Sequence, residues 1–243
     1  MTAYIGLCLE DRIEILTDTA QYDQKGVVRG FQRKVHALPR HNVAIVTRGG
    51  VGMGEKVKEM VESCLDQFHD FDKASTVIGM VLRNLEREGT FDTFASKFEV
   101  MIAGFSETKG PIIHFGSTMP LAGMEAFELH ATDVGVSCGA LFYERVRQQI
   151  VERGGVRAMG PTLMEGLRHK SGDTEFSVVG GAVEHTVLRP GHIVTEQIHN
   201  WNDRIGQKLN LQAPANISSI AGRPMSRQQR RAAESQAKKR KAS

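Results

Sequence analysis

Residues 2–19 read TAYIGLCLEDRIEILTDT, and residues 34–50 read KVHALPRHNVAIVTRGG. Each stretch holds two short apolar runs around a polar turn. Residues 4–9 and 14–19 read as strands joined by Glu10-Asp11-Arg12. Residues 34–38 and 43–47 read as a second pair around Pro39-Arg40-His41-Asn42, which has turn chemistry. Between the pairs, residues 21–30 form a polar, glycine-containing loop by composition. After Gly49-Gly50 the period changes. Met53, Val57, Met60, Val61, Cys64, Leu65 and Phe68 recur at three- and four-residue steps, which predicts an amphipathic helix. A second helix is predicted over residues 73–88, with Ile78, Val81, Leu82 and Leu85 on its inner face. Strand signals return at 98–105, 111–116 and 126–131. Helices are predicted over 141–152 and 161–169, the latter with Pro161 in its first turn, and strands at 176–179 and 185–188 complete the pattern. Strands, two helices, strands, two helices, strands: this order predicts antiparallel sheets stacked centrally with helix pairs outside. A doubly wound parallel fold would alternate helix and strand one for one. The expected class is therefore α+β, a four-layer αββα sandwich of antiparallel sheets.

At 243 residues and 40% hydrophobic content the chain can bury a sizeable core. Its apolar runs fall short of the ~20 residues that span a bilayer, and Glu10-Asp11 stands where a signal peptide would be apolar, so no membrane is expected. Cys8, Cys64 and Cys138 form neither an even set nor a close one, which fits idle thiols in a reducing cytoplasm. The net charge of +3 is unevenly spread: from Pro214 onward eight basic residues face a single acid, Glu234. A globular domain over 1–211 and a basic, disordered tail over 212–243 are expected. Tail arginines and lysines could neutralise phosphates, but the tail has no aromatic residue for base stacking, so nucleic acid is not expected as a partner. Nine histidines show no ligand spacing with Cys or Glu, and no metal or cofactor is expected. The run Gly49-Gly50-Val51-Gly52-Met53-Gly54 lacks the Gly-Lys-Ser/Thr ending of a phosphate-binding loop.

The chemistry concentrates in three residues. Thr2, Asp18 and Lys34 stand sixteen residues apart, each near a strand end. A threonine hydroxyl is a weak nucleophile, but a free α-amine on the same residue titrates near neutrality and can serve as its base. Met1 beside a small residue is a usual context for methionine removal, which would leave Thr2 carrying nucleophile and base together.

Thr2-Ala3-Tyr4-Ile5-Gly6-Leu7, the strand end Ile15-Leu16-Thr17-Asp18, Lys34-Val35 and the Gly49-Gly50 turn resemble the β-type subunits of the proteasome family, among the N-terminal nucleophile hydrolases. The resemblance covers residues 2–190 and implies a threonine-type endopeptidase. In it, Thr2 Oγ attacks the scissile carbonyl, Lys34 stabilises the developing alkoxide, and Asp18 keeps that lysine charged. The Gly49 N–H is the expected oxyanion donor, although the interval from Lys34 is one residue long and Arg48 could hold that place. Ser137, in Val136-Ser137-Cys138-Gly139, and Asp173, in Ser171-Gly172-Asp173, are the expected supporting residues. The resemblance further implies a polypeptide substrate, an enclosed homo-oligomeric ring, and room for an ATP-dependent unfoldase partner.

Each residue also has a plain account: Thr2 as a strand residue, Asp18 as a turn former, Lys34 as one of the surface cations with Arg29 and Arg33. A fold-bearing but inactive assembly protein, a nucleic-acid-associated protein acting through the tail, and a small-molecule amidase stay open on this reading.

Overall fold

The computed structural model describes residues 2–50, 52–88, 98–120, 124–137, 150, 155–168 and 179–209. All belong to the first of two compact units, Met1–Asn210. The expected tail and the segment containing Asp173 lie outside the described residues, as does most of the helix expected over 141–152.

Twelve strands are described. The first sheet is built from β1 (Tyr4–Cys8), β2 (Ile13–Asp18), β10 (Val134–Val136), β11 (Ala182–Arg189) and β12 (His192–Asn200), in the order β10-β1-β2-β11-β12. The second runs in chain order through β5 (Val35–Leu38), β6 (Val43–Gly49), β7 (Phe98–Ser106), β8 (Gly110–Ser117) and β9 (Leu129–Thr132). A separate ribbon pairs β3 (Ala20–Tyr22) with β4 (Val28–Phe31). Every pairing is antiparallel. The helices are α1 (Met53–Phe68), α2 (Phe71–Arg87) and α3 (Val156–Arg168).

Among the described residues, three of four apolar clusters organise the two large sheets and the helices. Tyr4, Ile13 and Ile15 from the first sheet meet Val35, Ala44, Val46, Met101, Ile113 and Phe115 from the second. Met101 lies so close to β1 that a Cβ on Gly6 would fall 2.5 Å from its sulfur. Glycine is needed there for close approach of the sheets. Val57, Val61, Leu65, Ile78 and Leu82 cover the outer face of the second sheet, and Val156 and Met164 of α3 pack with Ile5, Leu16 and Val183 of the first. Asp70 starts α2 by accepting the Lys73 N–H at 2.8 Å, which satisfies one of the helix's orphan donors.

The four-layer αββα sandwich with helix pairs on both outer faces requires correction. Among the described residues the chain is mostly antiparallel sheet, with three α-helices and three sheets, and only one sheet carries a helix pair. Strand content exceeds the expectation for local reasons. The polar loop over 21–30 closes into the β3–β4 ribbon, because Asp23 caps the turn by accepting the Lys25 and Val27 amides at 2.9 and 3.0 Å. Residues 192–200, too polar to read as a strand, pair along β11 with one side left exposed. The last helix starts at Val156, so Pro161 lies inside it and not in its first turn; burial of Val156 and Met159 holds the earlier turn in place. The turn at 39–42 is a 3₁₀ turn, Pro39–His41, closed by Asn42 in the left-handed region at φ 55°.

Candidate active site

Lys34 precedes β5 in the second sheet and reaches across to Asp18 at the end of β2 in the first. Its Nζ donates to Asp18 Oδ1 at 2.8 Å and to the Ala20 carbonyl at 2.8 Å. The pair is buried, with Lys34 6% and Asp18 0% exposed. Burial of this kind is costly for two charges unless the remaining lone pairs are satisfied. Here they are: the Ala3 N–H donates to the same Asp18 Oδ1 at 3.0 Å, and the Gly180 N–H donates to Asp18 Oδ2 at 3.2 Å. Burial pulls the Lys34 ammonium below its ordinary range, and the charges of Asp18 and Glu184 work against that pull.

The Ala3 contact brings Thr2 to this pair. Ala3 N is bonded to the Thr2 carbonyl carbon, so the Thr2 Cα lies two bonds from an atom that shares Asp18 Oδ1 with Lys34. Thr2 itself is buried. Ser137, in the turn after β10, holds the next residue along β1 from both sides. Its Oγ accepts the Tyr4 N–H at 2.8 Å, and its own N–H donates to the Tyr4 carbonyl at 3.0 Å. Thr2, Asp18, Lys34 and Ser137 are therefore brought to one end of β1.

Gly49 closes β6 in the other sheet, opposite Phe98, and Arg48 lies opposite Glu99. The Arg48 guanidinium is engaged by buried Glu99, which it meets at 2.6 Å; Glu99 also accepts the Tyr4 hydroxyl at 3.4 Å. Arg48 is thereby held between the sheets as part of an ion pair. Asp173 is among the residues not described.

Four residues escaped the sequence reading. Ala20 acts through its carbonyl, which no side-chain pattern reveals. Gly180 and Gly181 precede β11, and Gly181 adopts φ +79°, a left-handed conformation that favours glycine. Asp203 accepts the Gly181 N–H at 2.8 Å and is gripped by Arg168. The Gly-Gly dipeptide ahead of a strand was the available signal.

Among the described residues no group of His, Cys, Asp and Glu is arranged to hold a metal ion, and no described helix is long and apolar enough to cross a membrane.

No protein-family model matches the chain, and no curated protein matches it either. Solved structures do. An Anbu (Gly-1) mutant from Hyphomicrobium sp. strain MC1 aligns with a TM-score of 0.59 at 10% identity, covering 84% of this chain and 89% of that one. Anbu (ancestral beta-subunit) from Yersinia bercovieri aligns with a TM-score of 0.56 at 9% identity, covering 81% and 87%. These likenesses correct the resemblance drawn from sequence: the matched proteins are Anbu, a proteasome-like family distinct from the proteasome β-type subunits. At such identities the likeness establishes the fold alone: the chain is structurally similar to Anbu.

Proposed function

We propose that this protein is an N-terminal nucleophile hydrolase that cleaves peptide bonds, with Thr2 as nucleophile once Thr2 is the first residue of the chain. The observation that carries the reading is the buried Lys34–Asp18 pair with the Ala3 amide on the same carboxylate oxygen. A buried cation beside the first residues of β1 has a chemical use, because it favours negative charge on a nearby oxygen.

In this reading the Thr2 Oγ attacks the scissile carbonyl carbon, and its proton passes to the Thr2 α-amine through a water. The C–O bond forms, the carbonyl π pair moves onto oxygen, and the Gly49 N–H receives that oxyanion. The intermediate collapses by breaking the C–N bond, and the α-ammonium returns the proton to the departing amine. Water then attacks the resulting ester with the α-amine as base, which releases the acid and restores the hydroxyl. Lys34 lowers the cost of negative charge on Oγ, Asp18 holds Lys34, and Ser137 fixes β1 beside them. The substrate is a polypeptide admitted to an enclosed homo-oligomer, and the buried thiols of Cys8 and Cys64 suit a reducing cytoplasm.

The test is intact mass and N-terminal sequencing after treatment with a peptide epoxyketone or a β-lactone. The expected result is a chain beginning at Thr2 with one covalent adduct on that residue. A chain that begins at Thr2 and takes no adduct rejects the reading. So does one that retains Met1 and hydrolyses no peptide.

A further inference from the structure

Two oxygen acceptors of the Lys34 ammonium are set in place by one residue, Gly180, through the peptide units on either side of it. The Gly180 N–H donates to Asp18 Oδ2, and Asp18 Oδ1 receives Lys34. The Gly180 carbonyl accepts the Ala20 N–H at 3.0 Å and the Thr19 N–H at 3.2 Å, and Ala20's own carbonyl receives Lys34. A displacement of Gly180 would therefore move Asp18 and Ala20, and their contacts with the lysine, together.

Gly181, in turn, is fixed at both of its polar groups by the segment after β12. Its N–H goes to Asp203 Oδ2 at 2.8 Å, and its carbonyl accepts the Trp201 N–H at 2.8 Å. Asp203 is held by Arg168 from the end of α3, whose two terminal nitrogens each meet one carboxylate oxygen at 2.7 Å. The Arg168 guanidinium lies 4.9 Å from the centre of the Trp201 ring, and the Trp201 indole donates to Glu165 on α3 at 2.6 Å. Space is tight around the turn as well. A Cβ on Gly180 would fall 2.8 Å from Asp203 Oδ2 and 2.5 Å from Leu209 Cδ2.

We propose that Asp203, locked by Arg168, is a positioning residue for the Lys34 ammonium, acting through the Gly180–Gly181 peptide units on Asp18 and Ala20. It touches neither substrate nor reacting atoms. The proposal rests on the reading of Lys34 as the cation of an N-terminal nucleophile site.

Two double variants of the full chain separate positioning from bulk stability. Arg168→Leu with Asp203→Leu removes both charges and the acceptor for Gly181, while avoiding a lone buried ion. Arg168→Leu with Asp203→Asn removes the charges but keeps an acceptor. With a fluorogenic peptide amide as substrate, the first should lower kcat by about 20-fold or more at nearly unchanged KM, as loss of a placed electrostatic group does. The second should stay within about threefold of wild type. The Lys34 titration, followed by ¹⁵N NMR, should move to lower pH in the first variant only, since Asp18 and Glu184 are the charges that sustain its proton.

Equal kcat in both variants and wild type overturns the proposal, as does an equal loss in both with the Lys34 titration unmoved. If neither variant folds, amide exchange in the native chain decides. The Gly180 and Gly181 amides should open together, and a Gly181 amide exchanging about a hundredfold faster than Gly180 overturns the proposal. A wild-type chain without adduct at Thr2 rejects the hydrolase reading, whereas the titration and exchange measurements still test the positioning.

Discussion

Two consecutive glycines each give an N–H to an aspartate, and each aspartate is paired with a buried cation. Gly180 serves Asp18, whose cation is Lys34; Gly181 serves Asp203, whose cation is Arg168. The two glycines are neighbours in the chain and both ion pairs are buried, yet the two cations hold their aspartates differently. Arg168 closes both oxygens of its aspartate in a planar fork and is backed by the Trp201 ring. Lys34 takes one oxygen of its aspartate and a carbonyl, and burial has already loosened its proton. A fork suits a fixed joint, whereas a compact ammonium can face a reacting oxygen. On the function proposed above, the difference between the cations separates the pair that serves chemistry from the pair that serves architecture.

Exchanging the cation tests that distinction most severely. Lys34→Arg keeps the positive charge but replaces a point donor by a broad fork in a site shaped for an ammonium. Peptide hydrolysis should fall by about a hundredfold or more, the scale seen when a placed electrostatic group is lost. Steady-state kinetics on the fluorogenic peptide reads this directly. Activity within a few-fold of wild type would mean that any cation serves, and the contrast with Arg168 would dissolve.

Asp18→Asn probes the loosened proton. Burial lowers the Lys34 value, with Asp18 as the first of the groups that oppose the shift. Without the carboxylate charge the lysine should lose its proton at still lower pH, and the alkaline limb of the rate profile should move down with it. The sign for stability follows. Between the lowered value and 10.5 the unfolded chain binds more protons than the folded one, so stability rises with pH across that window. In Asp18→Asn the window should extend further down, and thermal melts across the alkaline range would record it. An alkaline limb that stays in place would show that Asp18 does not sustain the charge.

The same pair shows what could be read in the sequence and what could not. Thr2, Asp18 and Lys34 were legible because they sit at strand ends whose apolar runs are strong, and the strands bring them together. Ser137 was legible only through resemblance, and its work proves to be on the Tyr4 backbone. The residues that complete the site act through peptide groups, as Ala20, Gly180 and Gly181 do, or from far along the chain, as Asp203 does. Hydrophobic period carries no information about which carbonyl meets an ammonium. The fold was misread for a related reason. β12 reads HIVTEQIHN on an exposed edge, with no regular polar–apolar alternation, and its pairing with β11 is decided by the partner strand and not by its own composition. Its neighbour α3 begins before Pro161 because buried Val156 and Met159 outweigh the lost amide.

The smallest effect on catalysis is expected from the converse exchange, Arg168→Lys. The charge stays and Asp203 keeps its partner, so the Gly181 N–H still has its acceptor and Gly180 stays under Asp18. Hydrolysis should stay within about threefold of wild type. Stability should suffer more, because a lysine makes one contact where the guanidinium makes two and forfeits the plane stacked near Trp201. A loss of about 2 kcal/mol is expected from the missing charged hydrogen bond and the weakened ring contact, measured by chemical denaturation at neutral pH. The two exchanges thus run in opposite directions, one costing activity above all and the other stability. If Arg168→Lys lowered hydrolysis as far as Lys34→Arg, the joint would be as exacting as the site it supports. The line between architecture and chemistry would then have to be drawn around both aspartates together.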